Sequence, residues 1–141
     1  LREFFDTSVL ISAFWGDHPG HQASVQLLAA AEKKQSGCAA HTLAEIYAVM
    51  TSLPLRPTLP PEQGALFVEE VRRRLAIIAL EEGDYACVIE RMAETGVAGA
   101  RVFDALLLQA ARKSRARTIY TWNLRQFHAL APDLADRIRN P

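Results

Sequence analysis

The sequence predicts a three-layer α/β domain, with a central, mostly parallel sheet of four to five strands flanked by helices. Three observations lead there. Short apolar segments alternate with longer amphipathic ones, the pattern of strands joined by crossover helices. Half of the 141 residues are hydrophobic, enough for a substantial core. No repeat or low-complexity segment breaks the order, so 1–141 is expected to be a single domain of common size.

The elements follow in sequence. Glu3 to Asp6 predicts a short strand and Ser8 to Phe14 a short helix, and "GDHPG" reads as a turn. His21 to Lys33 places Val25, Leu27, Leu28 and Ala31 on an apolar face, which predicts a helix. Gly37 to Ala40 is a weak strand candidate, because Ala is a poor strand former. Thr42 to Thr51 predicts a helix. "LPLRPTLPPEQ" holds four prolines in eleven residues and must break it. Pro61 to Arg74 resumes as helix, so about 42–75 is expected to project as a helical hairpin beside the sheet. "LAIIAL" (75–80) predicts a strand, Asp84 to Thr95 a helix, and Val102 to Ser114 a strongly apolar helix. "RTIYT" (117–121) predicts a strand, Leu124 to Leu130 a turn or two of helix, and "ADRIR" a last edge strand.

Composition excludes several classes. Lys plus Arg and Asp plus Glu both number 16, so no global field advertises a polyanionic partner. Any nucleic-acid contact must come from local patches. Cys38 and Cys87 form no CxxC pattern, which fits reduced thiols and a cytoplasmic setting. No apolar run approaches the roughly 20 residues that span a bilayer, and no signal-peptide pattern is present, so no membrane association is expected.

Sites in open parallel sheets form at the carboxyl edge of the strands. Asp6 ends the first predicted strand. Glu45 lies five residues past the second, and Asn123 two residues past "RTIYT". Asp104 falls near the start of a helix with apolar neighbours. Each has an ordinary structural explanation. Asp6 could cap a helix. Thr42 and Glu45 match the S/T-x-x-E capping box. Asp104 could complement a helix dipole, and Asn123 could be a cap. Jointly these explanations weaken, because ionised carboxylates gathered in a partly apolar place are costly without a cation. Hard oxygen donors suit Mg²⁺ or Mn²⁺ rather than zinc. His18 and His21 stand at i, i+3 within Pro-Gly surroundings and read as a turn and helix start. His41 and His128 are isolated. The basic runs "RRR" (72–74) and "RKSRAR" (112–117) read as solvated helix ends.

The segments "FFDTSVLI", "HTLAEIYAVM", "GARVFDALLLQAA" and "TIYTWNLRQF" resemble, in order and spacing, the four motif blocks of PIN-domain nucleases. The closest likeness is to the VapC ribonuclease toxins of toxin–antitoxin pairs. The resemblance implies a PIN-like fold and metal-dependent hydrolysis of RNA phosphodiesters, leaving a 3′-hydroxyl and a 5′-phosphate. It implies that Asp6, Glu45 and Asp104 bind Mg²⁺ or Mn²⁺. The fourth block usually carries Asp or Asn and here has Asn123, a neutral ligand or water-positioning group. Thr7, Ser8 and Thr121 would support the carboxylates by hydrogen bonds. Arg125 and Trp122 are the candidates for RNA contact. The implied partners are RNA, a small VapB-like antitoxin and a second copy of the chain. Two other classes stay open: a housekeeping RNA-processing nuclease, and a catalytically weak binding module on the same fold.

Overall fold

The computed structural model describes residues 1–141. Its strands are β1 (Glu3–Phe5), β2 (Ser36–Ala39), β3 (Ala76–Ile78), β4 (Thr118–Tyr120) and β5 (Ile138–Arg139). Its helices are α1 (Thr7–Phe14), α2 (His21–Ala30), α3 (Ala40–Met50), α4 (Pro61–Arg74), α5 (Glu82–Thr95), α6 (Arg101–Ser114) and α7 (Leu124–Leu130), with one 3₁₀ turn at Pro132–Leu134. The sheet runs β3-β2-β1-β4-β5, and every neighbouring pair is parallel. The chain leaves β1 toward β2 on one side and later returns to β4 on the other. That reversal of strand order opens a crevice at the carboxyl end of β1.

The adjacent pair Phe4 and Phe5 sets the layers. Successive side chains of a strand point to opposite faces. Phe4 packs with Ile119 and Ile138 of the sheet, Leu107 and Ala111 of α6, and Phe127 of α7. Phe5 packs on the other face with Leu10 of α1, Leu28 of α2, Ile46 and Met50 of α3, and Val71 of α4. Both rings are fully buried, so truncating either to Ala costs about 3–5 kcal/mol. Val88 and Met92 of α5 pack on Leu106 of α6, which places α5 outside α6.

Strand β2 reads SGCA, poor strand formers, yet all four residues are buried. Small residues are needed there. A Cβ on Gly37 would lie 2.9 Å from the Ala76 carbonyl oxygen. Tertiary crowding thus overrides propensity.

Two expectations are corrected. The helix expected over His21 to Lys33 stops at Ala30, because Ala31 turns extended (φ −68°, ψ 137°) and buries itself among Leu10, Leu28 and Leu75. Helix α3 starts at Ala40, directly out of β2 and without a side-chain cap, rather than at Thr42. The expected helical hairpin forms, from α3 and α4, and its base is built into the core. Val71 and Leu75 at its base are fully buried in the core shared with Phe5. No helix is long and apolar enough to cross a membrane.

Candidate active site

Asp6 follows the last residue of β1, and its backbone N–H donates to the Tyr120 carbonyl of β4 at 3.0 Å. It also caps α1, accepting from the Ser8 N–H at 3.4 Å. The capping explanation is therefore true and incomplete. Asp6 Oδ2 also accepts from Ser8 Oγ at 2.6 Å and from Thr121 Oγ1 at 2.8 Å. Each hydroxyl is held in turn by a backbone N–H of the loop after β4. Trp122 N–H donates to Ser8 Oγ at 3.0 Å, and Asn123 N–H donates to Thr121 Oγ1 at 2.9 Å. An oxygen that already accepts from an N–H is left with its proton to give. Two parallel relays thus fix one carboxylate oxygen. Burial pushes the Asp6 carboxyl above the usual range, and the bonds from Ser8 and Thr121 oppose that push.

Glu45 sits in the second turn of α3. The capping box proposed from Thr42 and Glu45 does not form, since Thr42 lies inside the helix and α3 has no side-chain cap. Glu45 Oε1 instead accepts from Thr7 Oγ1 at 2.9 Å, with Thr42 Oγ1 3.0 Å from the same hydroxyl. Burial raises the Glu45 carboxyl, Thr7 and His41 lower it, and the charge of Asp6 raises it further.

Asp104 lies in the first turn of α6. Its carboxyl is pushed up to about 6, first by burial, then by the charges of Asp6 and Glu45, with only the Arg101 guanidinium opposing. No hydrogen bond is among the influences on it. Residues on α6, α3 and the end of β1 thus feel one another's charge. They are not closed on a point: no three His, Cys, Asp or Glu side chains stand together closely enough to hold an ion as arranged.

The remaining candidates divide. Asn123 is exposed, and its side chain makes no cap bond to α7. Arg125 is exposed. Trp122 is half-buried, with Nε1 donating to Ser12 Oγ and Ser24 Oγ, both at 3.0 Å, and its ring against Gly20. The indole N–H that could read a base is committed inward. Most of the basic-run residues are also engaged. Arg72 pairs with Glu69, Arg73 and Arg74 with Glu70, Arg112 with Asp133, and Lys113 with Asp84. His18 Nδ1 accepts from the Gly20 N–H at 2.9 Å, and His21 Nδ1 lies 2.8 Å from the Ser12 carbonyl, in keeping with a turn and helix start.

Sequence reasoning missed His41. Its Nε2 lies 3.9 Å from Glu45 Oε1, and its ring stacks on Phe103. The signal was the i, i+4 spacing to Glu45, which puts both on one helical face. Arg101, three residues before Asp104, was missed too.

Known proteins share this fold. The PIN domain family model matches residues 4–131. Ribonuclease VapC27 of Mycobacterium tuberculosis is 34% identical over 111 residues, covering 79% of this chain and 77% of that protein. Among solved structures, Mycobacterium tuberculosis VapC20, described as a sarcin-ricin loop cleaving toxin, superposes with a TM-score of 0.71 at 16% identity, covering 90% of this chain and 94% of that one. VapBC2 from Rickettsia felis, bound to a DNA fragment from its promoter, superposes with a TM-score of 0.66 at 19% identity, covering 99% and 98%. With the family match spanning most of its length and the acids falling at the carboxyl edge of an all-parallel sheet, the chain belongs to the PIN-domain family.

Proposed function

We propose that this chain is a divalent-metal-dependent endoribonuclease and the toxin of a toxin–antitoxin pair. The observation that carries the reading is that three acids from the end of β1, α3 and α6 lie near enough to feel one another's charge, in a chain that matches the PIN domain over residues 4–131. A carboxylate pushed to about 6 by burial and by two neighbouring acids is a poor structural device and a good cation ligand. The donor set fits Mg²⁺ or Mn²⁺: three carboxylates and no thiol. Asp6, Glu45 and Asp104 would hold the ion, with small side-chain movements drawing them together.

Bound there, the metal would activate water and neutralise charge on the scissile phosphate. The chain's own residues supply the order. Ser8 and Thr121 lock the Asp6 carboxylate through Oδ2. Thr7 fixes Glu45 relative to α1. Asp104, without a hydrogen bond of its own, is the adjustable member. Asn123 would orient water or the phosphate as a neutral group, and Arg125 would steer the RNA backbone. The antitoxin partner is supported by kinship with VapC27 and by the fold shared with the VapBC2 complex. Self-association through helices is part of the same reading.

The test is cleavage of single-stranded and structured RNA by the purified chain. Cutting with Mn²⁺ or Mg²⁺, abolished by EDTA and by Asp104→Asn, is expected. Undiminished cutting in excess EDTA contradicts the metal mechanism. Growth arrest on expression, relieved by co-expressing the neighbouring small gene, separates a toxin from a housekeeping nuclease.

A further inference from the structure

We propose that His41 and Phe103 together form a stacking platform for one nucleobase of the RNA, beside the scissile phosphate; this rests on the nuclease reading above. The two rings are parallel to within 2°, with centroids 5.5 Å apart. Parallel rings at that separation are offset, so neither fully covers the other and the stack can be continued by a third flat ring. The Phe103 residue is 46% exposed, and the His41 side chain is 34% exposed. Other aromatic residues that lie in the open, Tyr47 and Tyr85, take no part in a ring pair of this kind.

Placement supplies the functional argument. Phe103 immediately precedes Asp104 on α6. His41 lies one helical turn before Glu45 on α3, its Nε2 3.9 Å from the Glu45 carboxylate. The stack therefore bridges the two helices that carry two of the three acids. Free phosphates are repelled by this acidic surround unless a cation intervenes, whereas the uncharged face of a base is not. A base laid on the stack would set its attached phosphates at the carboxylates. Stacking accepts every base because each has a π-face, so the platform fixes position more than sequence. Trp122, the aromatic that the sequence pointed to, is tied to Ser12 and Ser24 instead. Phe103 and His41 act here as positioning residues for binding, with no proton transfer assigned to them.

The experiment uses the full chain and a short single-stranded RNA with 2-aminopurine placed in turn at each nucleotide. In an Asp6→Asn background, which removes turnover, quenching is expected at one position and is lost on adding Phe103→Ala. In the otherwise wild-type chain, Phe103→Ala should raise KM about tenfold, the scale of one lost base–aromatic stack, with kcat changed less. Phe103→Tyr and Phe103→Trp should restore KM. An unchanged KM in Phe103→Ala, or quenching at no position, overturns the platform. So does a Phe103→Ala effect confined to self-association or antitoxin binding, which would make Phe103 a protein contact. If the wild-type chain cuts no RNA, the nuclease reading fails while the quenching still decides the platform.

Discussion

Thr121 donates its hydroxyl to Asp6 Oδ2 at 2.8 Å, across 115 residues of sequence. The bond joins the ends of two adjacent strands, β1 and β4, at the crevice where the strand order reverses. Thr121 is fully buried and Asp6 nearly so, so the contact is shielded from water and geometrically fixed. Thr121→Val keeps the shape and removes the donor. The Asp6 carboxyl should rise further, and Mn²⁺ affinity should fall about 10-fold or more, as for the loss of other groups that support metal ligands. Isothermal titration with Mn²⁺ measures this, and an unchanged affinity would remove Thr121 from the site.

Thr7→Val should act in the same direction through Glu45. The hydroxyl 2.9 Å from Glu45 Oε1 is the link between α1 and α3, and its loss leaves a half-buried carboxylate held by His41 alone. Cleavage should slow while the secondary structure, read by circular dichroism, is retained. Full activity in Thr7→Val would mean that Glu45 needs no positioning.

Asn123→Asp should tighten Mn²⁺ binding by adding a fourth carboxylate, and Asn123→Ala should cost less activity than Asp104→Asn because it removes no charge. The backbone of Asn123 holds Thr121 in either variant, so the relay to Asp6 survives and the comparison isolates the side chain. No change in titration for Asn123→Asp would put its side chain outside the site.

Gly20→Ala tests the packing that keeps Trp122 in place. A Cβ at position 20 would run into Trp122 Cζ2 and Cε2, on the same edge of the indole whose Nε1 is held by two serine hydroxyls. The ring must shift, at a cost of about 1–3 kcal/mol, read as a lowered urea midpoint. An unchanged midpoint would show that the indole moves freely and is available for other contacts.

Much of the architecture was legible because periodicity carries it. The apolar segments marked β1, β3 and β4, and the four-proline stretch marked the break between α3 and α4. The positions of Asp6 at the end of β1, Glu45 past β2 and Asp104 near the start of α6 were legible as well. Their partners were not. A Thr three residues before a Glu looks the same whether it begins a helix or lies within one. Only the tertiary fact that α3 emerges directly from β2 at Ala40 moves Thr42 inside and turns Glu45 toward Thr7. The strength of β2 was hidden for a related reason: Ser36, Gly37, Cys38 and Ala39 are chosen for lack of bulk between close neighbours, which a propensity scale scores as weakness. The stack of His41 on Phe103 was invisible in the sequence, because Phe103 lies on another helix far along the chain.

Burial of the acids, together with the charge coupling among them, makes the metal-free fold pH-dependent. Asp104 is raised from 3.8 to about 6 in the folded state, and Asp6 and Glu45 are raised too. For a raised carboxyl the folded state binds the proton more tightly. Below the unfolded value both states are protonated and no penalty exists. The penalty grows as pH rises through the folded value and is complete above it. Thermal midpoints in EDTA should therefore fall between about pH 4 and pH 6 from this source, and Asp104→Asn should flatten part of that fall. A wild-type profile identical to that of Asp104→Asn would contradict the coupling.

The most direct measurement is the thermal midpoint of wild-type protein and Asp104→Asn near pH 7.5, in EDTA and with saturating Mn²⁺. Folding gathers three like charges that the unfolded chain keeps apart, and a cation bound only to the folded state reverses that cost. At a hundredfold excess over its dissociation constant the ion adds about 2.7 kcal/mol. The expected result is that Asp104→Asn melts above wild type in EDTA and gains much less from Mn²⁺. If Asp104→Asn melts below wild type in EDTA and gains as much from Mn²⁺, the acids are structural, and Asp6, Glu45 and Asp104 do not form a metal site.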